Sequence, residues 1–293
     1  MDSHGLPRWL TLGANLAVLA GIVLLIVELN QNRDMMRAQI RHELSVGIVD
    51  LLLTPASSEQ LADLMLRAQA GEALTLPELF QFQMRTNALF RYWEDVHYQY
   101  RVGLYDDSEF DRQKQAWKGY MANTPPGARY WCQVRNLYSE EFKNEMDSLL
   151  LNSCREGETL MHTGKLRNFA NRYTDAWNSN DPKQVAEFFA GDATLFVNGT
   201  PAQGREAITE VAQSFMSGFP DMKLSLVELL IRGETVIYHW NFVGSNTGPG
   251  GTGNAVDFSG YEEWTMGNDE LIARSLGNFD EKEYHRQLHR GLP

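Results

Sequence analysis

The chain has 293 residues, enough for one large domain or two of ordinary size. Hydrophobic residues make up 43% of it and charged residues 22%, and these globular values exclude wholesale disorder and a polytopic membrane protein. The net charge of −12 argues against nucleic acid as a partner, because phosphate binding needs a basic face. The two cysteines, Cys132 and Cys154, fit neither a disulfide framework nor a zinc site with paired cysteines.

The most apolar segment lies near the N-terminus. Residues 9–27 carry no charge, and only Thr11 and Asn15 are appreciably polar. At about 1.5 Å of rise per residue, this segment reaches about 28 Å, close to the hydrocarbon thickness of a bilayer. A secretory signal peptide would end in small residues of an A-x-A pattern, but the chain continues with Glu28-Leu29-Asn30. Residues 1–28 are therefore predicted to form an uncleaved single-span transmembrane anchor.

The basic residues near the span predict its orientation. Arg8 alone precedes it, whereas Arg33, Arg37 and Arg41 follow it within the window of the positive-inside rule. The bulk of the chain is therefore expected on the cytoplasmic side of the membrane.

Helical patterns continue after the anchor. Apolar residues recur at three- and four-residue spacing over residues 35–53, so the spanning helix is expected to continue into water until Thr54-Pro55. Ser57 or Ser58 is expected to cap a short helix that ends at Ala70.

The rest of the region 29–160 also has a helical pattern. Residues 75–78, Thr-Leu-Pro-Glu, form a capping box for a long helix. Ser108 is expected to start another helix, residues 125–127 to break the chain, and Ser139 to begin the last helix. Without a strand pattern, the region is predicted to be a helical hairpin or bundle that rests on the membrane or forms a dimer seam.

One step in this region has the spacing of metal ligands. Glu94 and His97 lie three residues apart on one helical face, as in di-iron bundles, which need two such steps and two further glutamates. We find this step once, beside Trp93 and Tyr98, so an aromatic packing cluster is favoured over a metal site. The sequence predicts no metal and no other cofactor.

The pattern changes after the polar segment 155–158. From residue 163 to residue 293 it indicates an α+β domain, with two helices, a strand, a third helix and several long strands. Strands are expected at residues 193–197, 222–231, 235–243, 255–266 and 271–276.

Five segments of this domain resemble a known family. They are residues 173–178 (YTDAWN), Asp181, residues 188–189 (FF), residues 219–221 (FPD) and residues 239–248 (HWNFVGSNTG). Together they are similar to the SnoaL-like polyketide cyclase branch of the nuclear transport factor 2-like (NTF2-like) superfamily. The resemblance implies a cone in which a curved antiparallel sheet wraps around helices and leaves an apolar pocket, and it implies a homodimer formed through the sheet. Because the superfamily includes cyclases, isomerases, dehydratases and non-catalytic binding domains, the fold alone leaves the function open.

The resemblance also implies a catalytic residue. Enzymes of this branch carry an acid/base aspartate just after the last strand, and Asp280 matches that position. A carboxylate at the mouth of an apolar cavity has its charged form disfavoured, which suits proton exchange with a carbon acid. The alternative is that Asp280 only caps the helix that follows, since Glu283 lies three residues later.

Other candidates surround the expected pocket. His239 lies on a strand and either passes a proton to a substrate or is an inert surface residue. Tyr261, Trp240, Asn246 and Phe279 are the predicted substrate-binding residues.

Strand alternation near Tyr261 adds a further candidate. Of Glu262 and Glu263, one carboxylate should point inward or into a dimer face, where it needs a partner.

Three positions depart from the family. Asn246 stands where related cyclases usually have histidine, and Arg274 and Leu276 stand where they often have glutamate and tryptophan. These differences remove a proton-transfer group and alter the pocket wall.

The sequence therefore predicts a membrane-anchored protein that binds a small apolar or amphipathic molecule. In the enzyme hypothesis it catalyses a cyclisation or isomerisation by acid-base chemistry. The alternative is a non-catalytic ligand-binding or assembly module tethered to the membrane.

Overall fold

A computed structural model describes residues 8–150, 154 and 163–292. Its first helix, α1, runs over 49 residues, Arg8–Ala56. The helix contains one candidate membrane span with a mean hydropathy of 2.5, and that window is not buried against the rest of the protein. The helix continues beyond this apolar window, as predicted, and ends one residue after Pro55.

Five further helices, a short turn and a short strand complete the N-terminal half. They are α2 (Glu59–Ala70), β1 (Leu74–Thr75), α3 (Leu76–Arg101), α4 (Asp107–Asn123), α5 (Pro125–Val134), a 3-10 turn (Arg135–Leu137) and α6 (Glu140–Leu149).

Side-chain caps fix the ends of these helices. Ser58 accepts a hydrogen bond from the Leu61 N–H at the start of α2, as predicted. The predicted capping box forms between Thr75 and Glu78 at the start of α3. The predicted break near residues 125–127 is confirmed, because α4 ends at Asn123. Pro125 then opens α5 in its first turn, where a missing N–H costs nothing.

Aromatic side chains fill the centre of this helical region. Trp117, Trp131 and Phe142 are fully buried, and the Trp117 ring lies 6.0 Å from that of Phe142. Leu44 of α1 packs into the same cluster, so the C-terminal half of α1 belongs to the helical bundle.

The two cysteines are joined, contrary to the sequence analysis. Cys132 on α5 and Cys154 form a disulfide with a Cα–Cα distance of 5.3 Å. The two cysteines are 22 residues apart in the sequence, and a separation of this size gives no local signal that they pair.

The C-terminal half is α+β, as predicted. Its elements are α7 (Thr163–Trp177), α8 (Pro182–Ala186), β2 (Phe189–Val197), β3 (Thr200–Gln203), α9 (Gly204–Gly218), β4 (Lys223–Arg232), β5 (Thr235–Ser245), β6 (Ala255–Met266), β7 (Ile272–Phe279) and α10 (Glu281–Arg290).

These strands form a curved sheet in the order β1-β4-β5-β6-β7-β2-β3. Irregular register near Leu226 and near Thr265 is typical of the bulges that bend long strands. The expected purely antiparallel sheet is corrected at one place, since β2 and β7 pair in parallel. Their parallel pairing follows from the crossover through β3, α9 and the three intervening strands.

The two halves share the sheet. Leu74 of β1 pairs with Ile231 of β4, and Thr75 pairs with Leu230. The helical region thus supplies the strand beyond β4, although the sequence predicted no strand there. Leu76, directly after β1, joins the core of the C-terminal domain.

Candidate functional site

A cavity of about 60 Å³ lies inside the cone between the sheet and its helices. Alternation along β5 places Trp240 and Phe242 on its wall, and α7 contributes Trp177. Apart from Glu262, its described lining residues are aliphatic or aromatic, with Gly277 completing the wall. The cavity is smaller than most ligand pockets, which measure about 300–1,000 Å³. It therefore accepts only a compact molecule or one end of a longer one.

Glu262 of β6 is the ionisable side chain on this wall. Its carboxylate accepts hydrogen bonds from Tyr173 Oη at 3.1 Å, from Trp264 Nε1 at 2.8 Å and from Ser275 Oγ at 2.7 Å. The side chain is 6% exposed. Three donors compensate much of the cost of burying a carboxylate, since every one of them favours the charged form.

Burial dominates the electrostatics of this group. It raises the pKa of Glu262 above its ordinary value, and the bonds from Ser275, Trp264 and Tyr173 oppose that shift. The pKa of Tyr173 is also raised, first by burial and then by the neighbouring Glu262 charge. Tyr173 therefore stays a neutral donor, and Glu262 exchanges its proton closer to neutrality than an exposed glutamate.

Trp177 of α7 also lines the cavity and is 8% exposed. Its buried indole N–H makes no hydrogen bond of good geometry among the described residues, and a hydrogen bond from Trp177 opposes the raised pKa of Tyr173. The cavity thus combines a carboxylate acceptor with apolar surroundings. A ligand with one carbonyl or hydroxyl group matches this arrangement.

The C-terminal helix packs over one end of the cavity. Tyr284 of α10 lies with its ring 5.0 Å from Phe258 and 5.4 Å from Phe279, both of which line the cavity. Gln287 anchors the helix, because it bonds both the N–H and the carbonyl of Asp257. The C-terminal helix thus packs against two of the aromatic side chains that line the cavity.

The structure separates the residues predicted for the site. Trp240 and Phe279 line the cavity. His239 and Tyr261 lie beside each other on the opposite face of the sheet, with ring centroids 5.7 Å apart.

The predicted acid and the loop amide also lie outside the cavity wall. Asp280 is exposed and caps α10 by accepting a hydrogen bond from the Glu283 N–H at 3.0 Å. Asn246 donates to the Gly218 carbonyl and accepts from the Thr252 N–H, so it shapes its own loop. Asp280 and His239 therefore share no cavity, and their catalytic roles stay predictions.

Strand alternation identified the inward carboxylate only as one of two. Glu262 points inward, and Glu263 points outward to Arg232 at 3.1 Å. Sequence reasoning missed Ser275 and Trp264 as its donors, and it read Tyr173 as part of an apolar helical stripe. These residues come from α7, β6 and β7, and their meeting depends on how the sheet wraps around α7.

A second cavity, of about 150 Å³, lies between the helical region and the sheet. Its floor is apolar and includes Leu79, Tyr130 and Leu166. Its acidic members, Glu72 and Glu234, are exposed to solvent. A carboxylate shielded from water is therefore a feature of the cone cavity.

Residues 170–275 match the family model of the SnoaL-like domain, and the predicted resemblance is confirmed over this range. No curated protein matches the chain. Among solved structures, TsrD from Streptomyces laurentii is 21% identical, with a TM-score of 0.40, and the match covers 44% of this chain and 98% of that one. A candidate SnoaL-like polyketide cyclase from a Jannaschia species is 14% identical, with a TM-score of 0.39 and coverage of 44% and 94%. A hypothetical protein with a ketosteroid isomerase-like fold from Catenulispora acidiphila is 18% identical, with a TM-score of 0.38 and coverage of 43% and 93%.

Proposed function

We propose that this protein is a membrane-anchored binding protein whose SnoaL-like domain holds a compact apolar molecule with one polar group. The observation that carries this proposal is Glu262, a buried carboxylate with three donors on the wall of an apolar cavity. An apolar wall selects a ligand by shape, and a few placed polar atoms fix its orientation.

The apolar part of α1 supports the anchor. Its span is long enough for a bilayer and is exposed along its whole apolar window. A helix that is apolar on every side and unburied is unfavourable in water, so a bilayer is the environment that suits it. Extraction of membranes with alkaline carbonate tests this point, and release into the supernatant would contradict it.

Two observations bear on the orientation, and they disagree. Arg33, Arg37 and Arg41 favour a cytoplasmic bulk, as predicted, but the excess over Arg8 is small. The disulfide favours the opposite side, because such bonds persist mainly in oxidising compartments. We give the disulfide more weight and place the bulk of the protein in an oxidising compartment.

Acid quenching of cells followed by alkylation with a heavy maleimide tests this orientation. Modification of wild-type cysteines only after reduction supports the oxidising side. Modification without reduction supports the cytoplasm.

A second candidate function is acid-base catalysis by Glu262 on a carbonyl substrate. The raised pKa of this carboxyl favours it, since a carboxylate of this kind takes a proton from the carbon next to a carbonyl and returns it at another carbon. Such an isomerisation or cyclisation needs no oxidant, reductant or other co-reactant, because the proton that Glu262 removes is returned to the product. Asp280 and His239 remain the predicted alternative pair, and a homodimer through the sheet also stays a prediction.

Native mass spectrometry of detergent-extracted protein tests the binding proposal. We expect a co-purifying small molecule with the wild-type protein, a loss of it in the cavity-filling variant Val211→Phe, and reduced occupancy in Glu262→Gln. Asp280→Asn is the matched control, because its side chain faces solvent. An identical adduct in Val211→Phe would contradict the cavity as its site.

A further inference from the structure

Beyond the membrane, α1 has two different faces. One face packs against the helical region through Ile40, Leu44 and Leu51. The other face exposes Met35 (65%), Val46 (48%), Val49 (48%) and Leu53 (58%). A row of aliphatic side chains left in water on one helix is typical of an interaction surface.

The exposed residues follow the spacing of a coiled-coil seam. When Gln39, His42 and Ala56 are included, the positions alternate by four and three residues, which is the heptad pattern of the inner positions of paired helices. We call this row the α1 seam, and its members are Met35, Gln39, His42, Val46, Val49, Leu53 and Ala56. The bundle occupies the opposite side of α1, so a partner helix has room along the whole seam.

The same face continues into the span. At 3.6 residues per turn, about 18 residues complete five turns, so Ala17, Met35 and Leu53 lie on one line along the helix. Gly13 and Gly21 flank Ala17 at four-residue spacing. Nothing lies within 4 Å of a Cβ built on either glycine. Small residues at this spacing allow two helices to approach closely in a bilayer.

We propose that α1 pairs in parallel with α1 of a second copy of this chain, from Gly13 to Leu53. The proposal uses the proposed anchoring, because copies inserted in one membrane have the same orientation. Equivalent positions then meet, and the polar seam residues Gln39 and His42 face their own counterparts. Polar residues at inner positions fix register and orientation in coiled coils.

The charges beside the seam also favour the parallel arrangement. Glu43 and Asp50 lie along one side of it, and Ala38 and Ser45 lie along the other. In a parallel pair each side faces the opposite side of the partner, so the carboxylates meet small neutral residues. In an antiparallel pair like sides face each other, and the carboxylates would repel.

Cysteine cross-linking in native membranes tests this interface. The two native cysteines are joined to each other, so single cysteines at Val46, Val49 and Leu53 report on contacts along the seam. Asp34→Cys and Thr54→Cys are matched controls, because both lie on α1 about 100° from the seam. We expect cross-linked dimer at the seam positions about fivefold above the controls, as heptad pairing requires.

Equal cross-linking at all five positions overturns the proposal, because it indicates random collision. Cross-links to a different protein, or the absence of dimer at the seam, overturn it as well. Alkaline carbonate extraction of the same membranes tells a failed anchor apart from a failed interface.

A second set of variants tests the span. Gly13→Leu/Gly21→Leu should lower cross-linking at Val46→Cys about fivefold, because bulky side chains separate closely packed helices. Leu19→Phe/Ile22→Phe, which adds bulk on the opposite face, should leave cross-linking unchanged. Unchanged cross-linking in the glycine variant overturns the placement of the span in the interface.

Discussion

Among the described residues, the helical region buries a histidine and the C-terminal domain buries a glutamate, and the surroundings of these two groups differ. In the helical region His97 is 5% exposed, with its ring 5.7 Å from Phe142, and burial lowers its pKa. In the C-terminal domain Glu262 is held by three donors beside an unfilled space. A titratable group packed inside a filled core serves stability, whereas one with matched donors at a cavity wall is available to a ligand.

The largest expected effect tests the filled core. Trp117→Ala should lower the free energy of unfolding by about 3–5 kcal/mol, because it removes a fully buried ring that stacks on Trp93. Denaturant unfolding followed by circular dichroism measures it. Leu137→Ala is the control, since this side chain is 69% exposed and its loss should cost within about 0.5 kcal/mol. A cost for Trp117→Ala as small as that of the control would show that the helical core is not tightly packed.

The disulfide should give the next largest effect. It closes a loop with a sequence separation of 22 residues. The loss of loop-closure entropy predicts that Cys132→Ser/Cys154→Ser is less stable by about 3 kcal/mol. Thermal unfolding with and without a reductant measures this difference, and the reduced wild-type protein should match the double variant. A double variant as stable as the oxidised protein would contradict the prediction.

Glu262 should show a smaller, pH-dependent effect. Glu262→Ala leaves three buried donors without their acceptor and should cost about 1–3 kcal/mol. Because burial raises the pKa of Glu262, the folded state binds its proton more tightly than the unfolded state does. Stability from this group is therefore full below its ordinary pKa and falls as the pH rises through the folded pKa.

Glu262→Gln keeps an acceptor without titrating and is the control for that pH dependence. The melting temperature of the wild-type protein should decline relative to this variant between pH 4.5, the ordinary value, and the raised pKa. If the melting temperatures of the two proteins changed with pH in the same way across that range, the pKa of Glu262 would be the same in the folded and unfolded states, which would contradict the prediction.

The smallest effect concerns Asp280. As a helix cap, its replacement in Asp280→Ala should cost about 1 kcal/mol, whereas Asp280→Asn still caps and should cost little. Neither variant should change occupancy of the cavity in native mass spectrometry. A loss of ligand in Asp280→Asn at unchanged stability would restore Asp280 as the principal site residue.

Local signals in the sequence predicted most of the secondary structure. The capping box of Thr75 and Glu78 and the cap at Ser58 depend on residues within three positions, so they can be read directly. Strand alternation likewise indicated that Glu262 or Glu263 faces inward.

Features that join distant segments could not be read in this way. The disulfide, the parallel pairing of β2 with β7, and the addition of β1 to the sheet all depend on tertiary folding. The donors around Glu262 have the same origin, because Tyr173 and Ser275 are separated from it by 89 and 13 residues. The alternation of side chains along a strand indicates which face of the sheet a residue occupies. It does not indicate which residues of other elements pack against that face.

The pairing of Leu74 and Thr75 with β4 has a practical consequence for dissecting the protein. A fragment that begins at residue 163 would lack this short strand and leave the backbone of Leu230 and Ile231 unpaired at an open sheet margin. An exposed edge strand with unpaired N–H and C=O groups tends to pair with strands of neighbouring molecules. The C-terminal module produced alone should therefore self-associate, and solubility should return when residues 72–101 are supplied with it.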